Sequence, residues 1–108
     1  MEAETILYNL VYTMTETSDP LNPVVSIRTF SYRGAAAAAL EAEYSEMLKD
    51  IENGNTVLDC VRKEKSVDNT TATIELGFES TDETDAGIPE VETRHSWKVE
   101  KSVIDPQA

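Results

Sequence analysis

GAAAAALEAEYSEMLKDIENG, residues 34–54, is the stretch that decides the fold. Five consecutive alanines supply the best helix former, and Leu40, Tyr44, Met47, Leu48 and Ile51 recur at three- and four-residue spacing on one helical face. The spacing predicts a helix over 35–52. Asn53 and Gly54 tolerate the left-handed backbone that ends helices, so the stop falls there. The small alanine side chains would also let this helix lie close on a sheet.

On either side of the helix the period changes from 3.6 to 2. Residues 5–16 place Ile6, Tyr8, Leu10, Tyr12 and Met14 on one face of a strand. Residues 17–23, TSDPLNP, carry turn chemistry, and 24–33 read as the return arm of a hairpin. After the helix come strands over 56–65, 70–80 and 91–104, with a turn at Val67, Asp68 and Asn69. In the second of these, Ala72, Ile74, Leu76 and Phe78 alternate with Thr71, Thr73, Glu75 and Gly77. In the third, Val91, Thr93, His95, Trp97 and Val99 face inward, against Glu92, Arg94, Ser96, Lys98 and Glu100.

Strands joined by short turns pair antiparallel, and a lone amphipathic helix can cover one face of such a sheet. The expected fold is therefore α+β: a single domain over 1–108, order ββαβββ, with one helix on a twisted antiparallel sheet of four to five strands. A chain of 108 residues is long enough for one core and too short for two. Strands one and three are apolar on both sides, through Leu7 and Val11 in one and Val57 and Val61 in the other. Either the sheet curves there or the first hairpin folds back across it, or these outer faces form a protein contact or a homo-oligomer surface.

The chain carries 21 acids and 9 bases, a net charge of −12. Phosphate backbones and anionic lipids would repel such a surface, which argues against direct nucleic-acid or membrane binding and for a basic protein partner. The acid-first N-terminus lacks the basic region of an export signal, and no apolar run is long enough to span a bilayer. Cys60, the single cysteine, can form neither an intramolecular disulfide nor a thiolate cluster within one chain. Together these features predict a cytoplasmic protein.

The excess charge is concentrated. Segments 34–54 and 80–90 each hold a net −4 and so account for two thirds of it. On the helix, Glu43, Glu46 and Asp50 fall on one flank of the apolar stripe, and Glu41 and Glu52 on the other. Glu46 and Asp50, four apart, repel one another, which a helix built only for stability would avoid. The stretch ESTDETDAGIPE, residues 79–90, adds Glu79, Asp82, Glu83, Asp85 and Glu90 with no base among them. A calcium loop beginning at Asp82 would place Thr84, Ala86 and Thr93 at its third, fifth and twelfth positions, so the ligands are wrong. The stretch reads as a solubilising loop or an acidic prong.

Enzyme templates fail for lack of parts, and the chain reads as non-enzymatic, with no cofactor and no metal. His95, the only histidine, lies on the apolar face beside Trp97. A nucleophilic pair of Cys60 and His95 would require them to face each other on adjacent strands. The four glycines are isolated, so no phosphate loop exists.

These observations favour a small acidic protein that acts by protein–protein binding. It would be an inhibitor, immunity or anti-defence protein, phage-borne in one version, that mimics nucleic acid in a basic groove of a nucleic-acid-handling target. Its contacts would be Glu43, Glu46, Asp50, Glu79, Asp82, Glu83, Asp85 and Glu90. The alternatives are a self-assembling subunit such as a phage virion or tail component, and a small-ligand-binding domain with a pocket near His95 and Trp97.

Overall fold

The computed structural model describes residues 5–54, 58–78 and 90–104. Within them the chain runs β1 (Thr5–Glu16), β2 (Asp19–Phe30), α1 (Arg33–Glu52), β3 (Asp59–Lys65), β4 (Thr71–Phe78) and β5 (Glu90–Ile104). The five strands form one antiparallel sheet in the order β2-β1-β5-β4-β3. The α+β fold of order ββαβββ, one helix on one sheet, is as the alternating and helical periods imply.

The core lies between α1 and the sheet. Leu40 and Tyr44 descend from the helix onto Leu10, Ala72, Ile74, Leu76 and Trp97, and Ala36 is buried nearer the helix start. Leu10, Leu40 and Ile74 are fully buried, each contributing about 1.5–3 kcal/mol by leaving water. Beyond its alanines the first turn has no start signal: Tyr32 occupies the N-cap with extended backbone and no side-chain cap, and no acid follows it. Packing of Ala36 and Leu40 holds this end in place. At the other end Gly54, at φ 74°, takes the left-handed conformation that closes the helix.

A 20-residue helix spans about 30 Å while a 15-residue strand spans about 50 Å, so α1 cannot cover the sheet from end to end. The face away from α1 is mostly polar. There Asn9 donates to Ser102 Oγ and accepts from Thr29 Oγ1, both at 2.8 Å, tying β1 to both neighbours. Arg62 meets Glu75 and Lys98 meets Glu100 on the same side. Toward β2 this face turns apolar, because Val11 lies opposite Ile27 and Thr13 opposite Val25.

Several boundaries differ from the sequence reading. The first turn is only Thr17 and Ser18, and β2 begins at Asp19 and ends at Phe30 rather than spanning 24–33. Pro20 and Pro23 sit inside it because β2 is an edge strand and its register with β1 shifts between Met14 and Glu16, so neither proline has a paired position in the ladder. Phe78 is 45% exposed instead of inward, and Gly77 is buried instead of outward. A register shift between Leu76 and Gly77 interrupts the alternation and exchanges their faces. A Cβ on Gly77 would lie 1.8 Å from the Glu90 carbonyl oxygen, so only glycine fits. Of the doubly apolar positions, Leu7, Val11 and Val61 are half-buried, and Val57 lies outside the described residues.

Candidate functional site

The two flanks of α1 face opposite edges of the sheet. On one, Glu41 accepts a hydrogen bond from Asn69 in the β3–β4 turn at 3.0 Å. On the other, Glu43 reaches toward β2 and accepts from Arg28 Nη1 at 2.9 Å through one oxygen. Its second oxygen accepts from Trp97 Nε1 at 3.4 Å. The i, i+3, i+7 spacing of Glu43, Glu46 and Asp50 keeps all three on this side.

Between this flank and the sheet is a cavity of about 280 Å³ lined by Tyr12, Glu43, Glu46, Met47, Asp50 and Trp97. Its floor is aromatic. Tyr12 tilts against Trp97 at 5.3 Å between ring centres, and Tyr44 meets Trp97 edge-on at 6.1 Å. Its wall is a row of carboxylates. Carboxylates beside aromatic rings form a surface suited to an organic cation, with Glu43 meeting the Trp97 indole at its N–H edge.

His95 extends this cluster beneath Tyr12. The rings stack at 5.9 Å, and the Tyr12 hydroxyl lies 2.6 Å from His95 Nδ1 while Thr93 Oγ1 lies 3.2 Å from Nε2. Burial pushes the imidazole below its ordinary pKa. Burial, and then the nearby Glu43 charge, push the Tyr12 phenol up. Both groups are thus held neutral, an arrangement in which the phenol donates to Nδ1 and Nε2–H donates to Thr93. His95 does not line the cavity; Trp97 does. Cys60 is on β3 and His95 on β5, with β4 between them, so the two are not on adjacent strands.

Of the acids singled out from the sequence, the structure brings together Glu43, Glu46 and Asp50. Glu90 stands apart, exposed at the first position of β5 opposite Phe78. Glu79, Asp82, Glu83 and Asp85 lie outside the described residues. The sequence points to Trp97 only through the small-ligand alternative and does not single out Met47 or Arg28; with Tyr12 these complete the site. The two aromatics carry only the period of a core face, and the reach of Arg28 to Glu43 depends on strand order.

Among the described residues no three His, Cys, Asp or Glu side chains are placed to hold a metal, and no helix is long and apolar enough to cross a membrane. Comparison with protein-family models, curated proteins and solved structures finds no match to this chain.

Proposed function

We propose that this protein acts by binding a basic protein through the acidic flank of α1. The observation that supports this is the joint placement of Glu43, Glu46 and Asp50 along one cavity with an aromatic floor. An arginine or lysine side chain of a partner would enter between the carboxylates and the half-buried Tyr12, with the buried Trp97 supporting Tyr12 from the core side. The net charge of −12 would steer a positively charged surface toward this flank and speed association.

The finer reading is an inhibitor, immunity or anti-defence protein, of a kind phages carry, that occupies the basic groove of a nucleic-acid-handling protein. The row of carboxylates on α1 would then stand in for a phosphate backbone. Glu90 and the acids Glu79, Asp82, Glu83 and Asp85 would extend the contact. Capture of partners from lysate, followed by titration calorimetry, tests it. The combined variant Glu43→Gln, Glu46→Gln, Asp50→Asn is expected to weaken binding of a basic prey at least tenfold with its circular dichroism unchanged. An affinity that did not move between low salt and about 0.5 M would overturn the electrostatic reading. Neutralising Asp82, Glu83 and Asp85 together tests the second segment in the same way.

A further inference from the structure

The two edges of the sheet differ in kind. β3 closes one edge with Arg62, Lys63, Glu64 and Lys65 and a register shift beside them, which are the devices that keep an edge from pairing with another strand. β2 closes the other with Val24, Val25, Ser26 and Ile27. Val24 and Val25 are each 54% exposed and Ile27 61%. Among the described residues, no backbone hydrogen bond reaches the outer side of β2. Pro20 and Pro23 lie before this segment, so no proline interrupts the alternate N–H and C=O groups that Val24 to Phe30 turn to the open side.

We propose that β2 pairs with β2 of a second copy, antiparallel about a twofold axis at Ile27, and joins two five-stranded sheets into one of ten strands. The sequence of the strand is complementary to itself in this register. Ile27 meets the partner's Ile27, Val25 meets the partner's Thr29, Ser26 meets the partner's Arg28, and Val24 meets the partner's Phe30. Arg28, the only charge in the segment, faces a hydroxyl. A shift of the axis to Arg28 would set two guanidinium groups against each other, and a shift to Val25 would bring Pro23 opposite Ile27.

The faces also agree. Val11 lies opposite Ile27 on the side away from α1, so the pairing would run an apolar row of Val11 and Ile27 from each copy across four strands. The charged β3 edges would then end the assembly on both sides, giving a closed dimer rather than a fibre. Both helices would stand on the same face, their Glu43–Asp50 flanks turned toward each other across the joined β2 strands. This association does not depend on the proposed basic partner.

Sedimentation of the full chain over a range of concentrations tests the proposal. A species of twice the 12.0 kDa chain mass is expected. Ile27→Lys, which sets two ammonium groups opposite one another at an already exposed position, should weaken the dimer about a hundredfold and keep the circular dichroism of the parent. In a Cys60→Ala background, Ile27→Cys should cross-link on mild oxidation, because directly opposed residues lie about 4.5–5.5 Å apart at Cα. Val24→Cys should not, since six residues separate it from its copy along the strand, about 20 Å. A chain that keeps the mass of one copy up to about 1 mM would overturn the proposal. So would a dimer indifferent to Ile27→Lys, or cross-linking at position 24 in place of 27.

Discussion

Glu43 accepts a hydrogen bond from Arg28 at 2.9 Å, and this contact joins the acidic flank of α1 to the edge strand of the sheet. Arg28 also lies 5.2 Å above the ring of Phe30, so it is held from two sides. Both partners are partly solvated, with side chains 56% and 32% exposed, and such pairs contribute about 0–1 kcal/mol. The basic Arg28 therefore masks one carboxylate of the proposed site at little gain in stability.

Arg28→Ala is accordingly expected to shift the urea midpoint by less than about 1 kcal/mol of stability and to tighten binding of a basic partner by freeing Glu43. Calorimetric titration of parent and variant checks it; weaker binding by the variant would mean that Arg28 itself contacts the partner.

Gly77→Ala should cost about 3 kcal/mol. The added methyl would meet the Glu90 carbonyl carbon and oxygen and the Val91 Cα, all backbone atoms that cannot rotate aside. Chemical denaturation measures the loss. A cost below about 1 kcal/mol would show that β4 and β5 can separate locally at the bulge.

Stability should fall with acidification near neutrality because of His95. Its folded pKa lies below its ordinary value of 6.5, so between the two the unfolded chain binds the proton and the native state does not. The contribution of this group is complete above about 6.5 and is lost as pH falls through the folded value. Urea unfolding at pH 7.5 and at pH 5 should show a smaller difference for His95→Gln than for the parent. The comparison with the variant cancels the effect of the surface acids.

Tyr32→Asp should stabilise the protein by about 1 kcal/mol. The position has the extended backbone of an N-cap and is 75% exposed, yet its present side chain caps nothing. A carboxylate there would accept from a free N–H of the first turn and meet the positive end of the helix. A higher thermal midpoint checks it.

At the acid extreme, Asp68 carries the next pH-dependent contribution. Hydrogen bonds from Thr70 and Ser66, and the charge of Arg33, lower its pKa to about 2 from an ordinary 3.8. Its support of the β3–β4 turn is present above 3.8 and lost as pH falls toward 2. Asp68→Asn should flatten the acid limb of the unfolding curve in that window.

Much of the fold was legible because it rests on local periodicity. The 3.6-residue recurrence from Leu40 to Ile51 and the alternation through Ile74 and Trp97 identify a helix and strands from neighbours alone, and the two acidic flanks of α1 follow from the same geometry. Tertiary structure decided which strands adjoin. Placing β1 beside β5, and β2 at an edge, admitted two prolines into a strand, left Val24, Val25 and Ile27 exposed, and set Arg28 against Glu43. It also set Tyr12 and Trp97 together as the floor of an acidic cavity. These outcomes depend on hydrogen-bond partners distant in sequence, and a register shift such as the one at Gly77 reverses every later side chain with an isolated glycine as its only local signal. Composition and period thus determined the elements and their charge, while strand order and register determined which of those charges and apolar residues face one another.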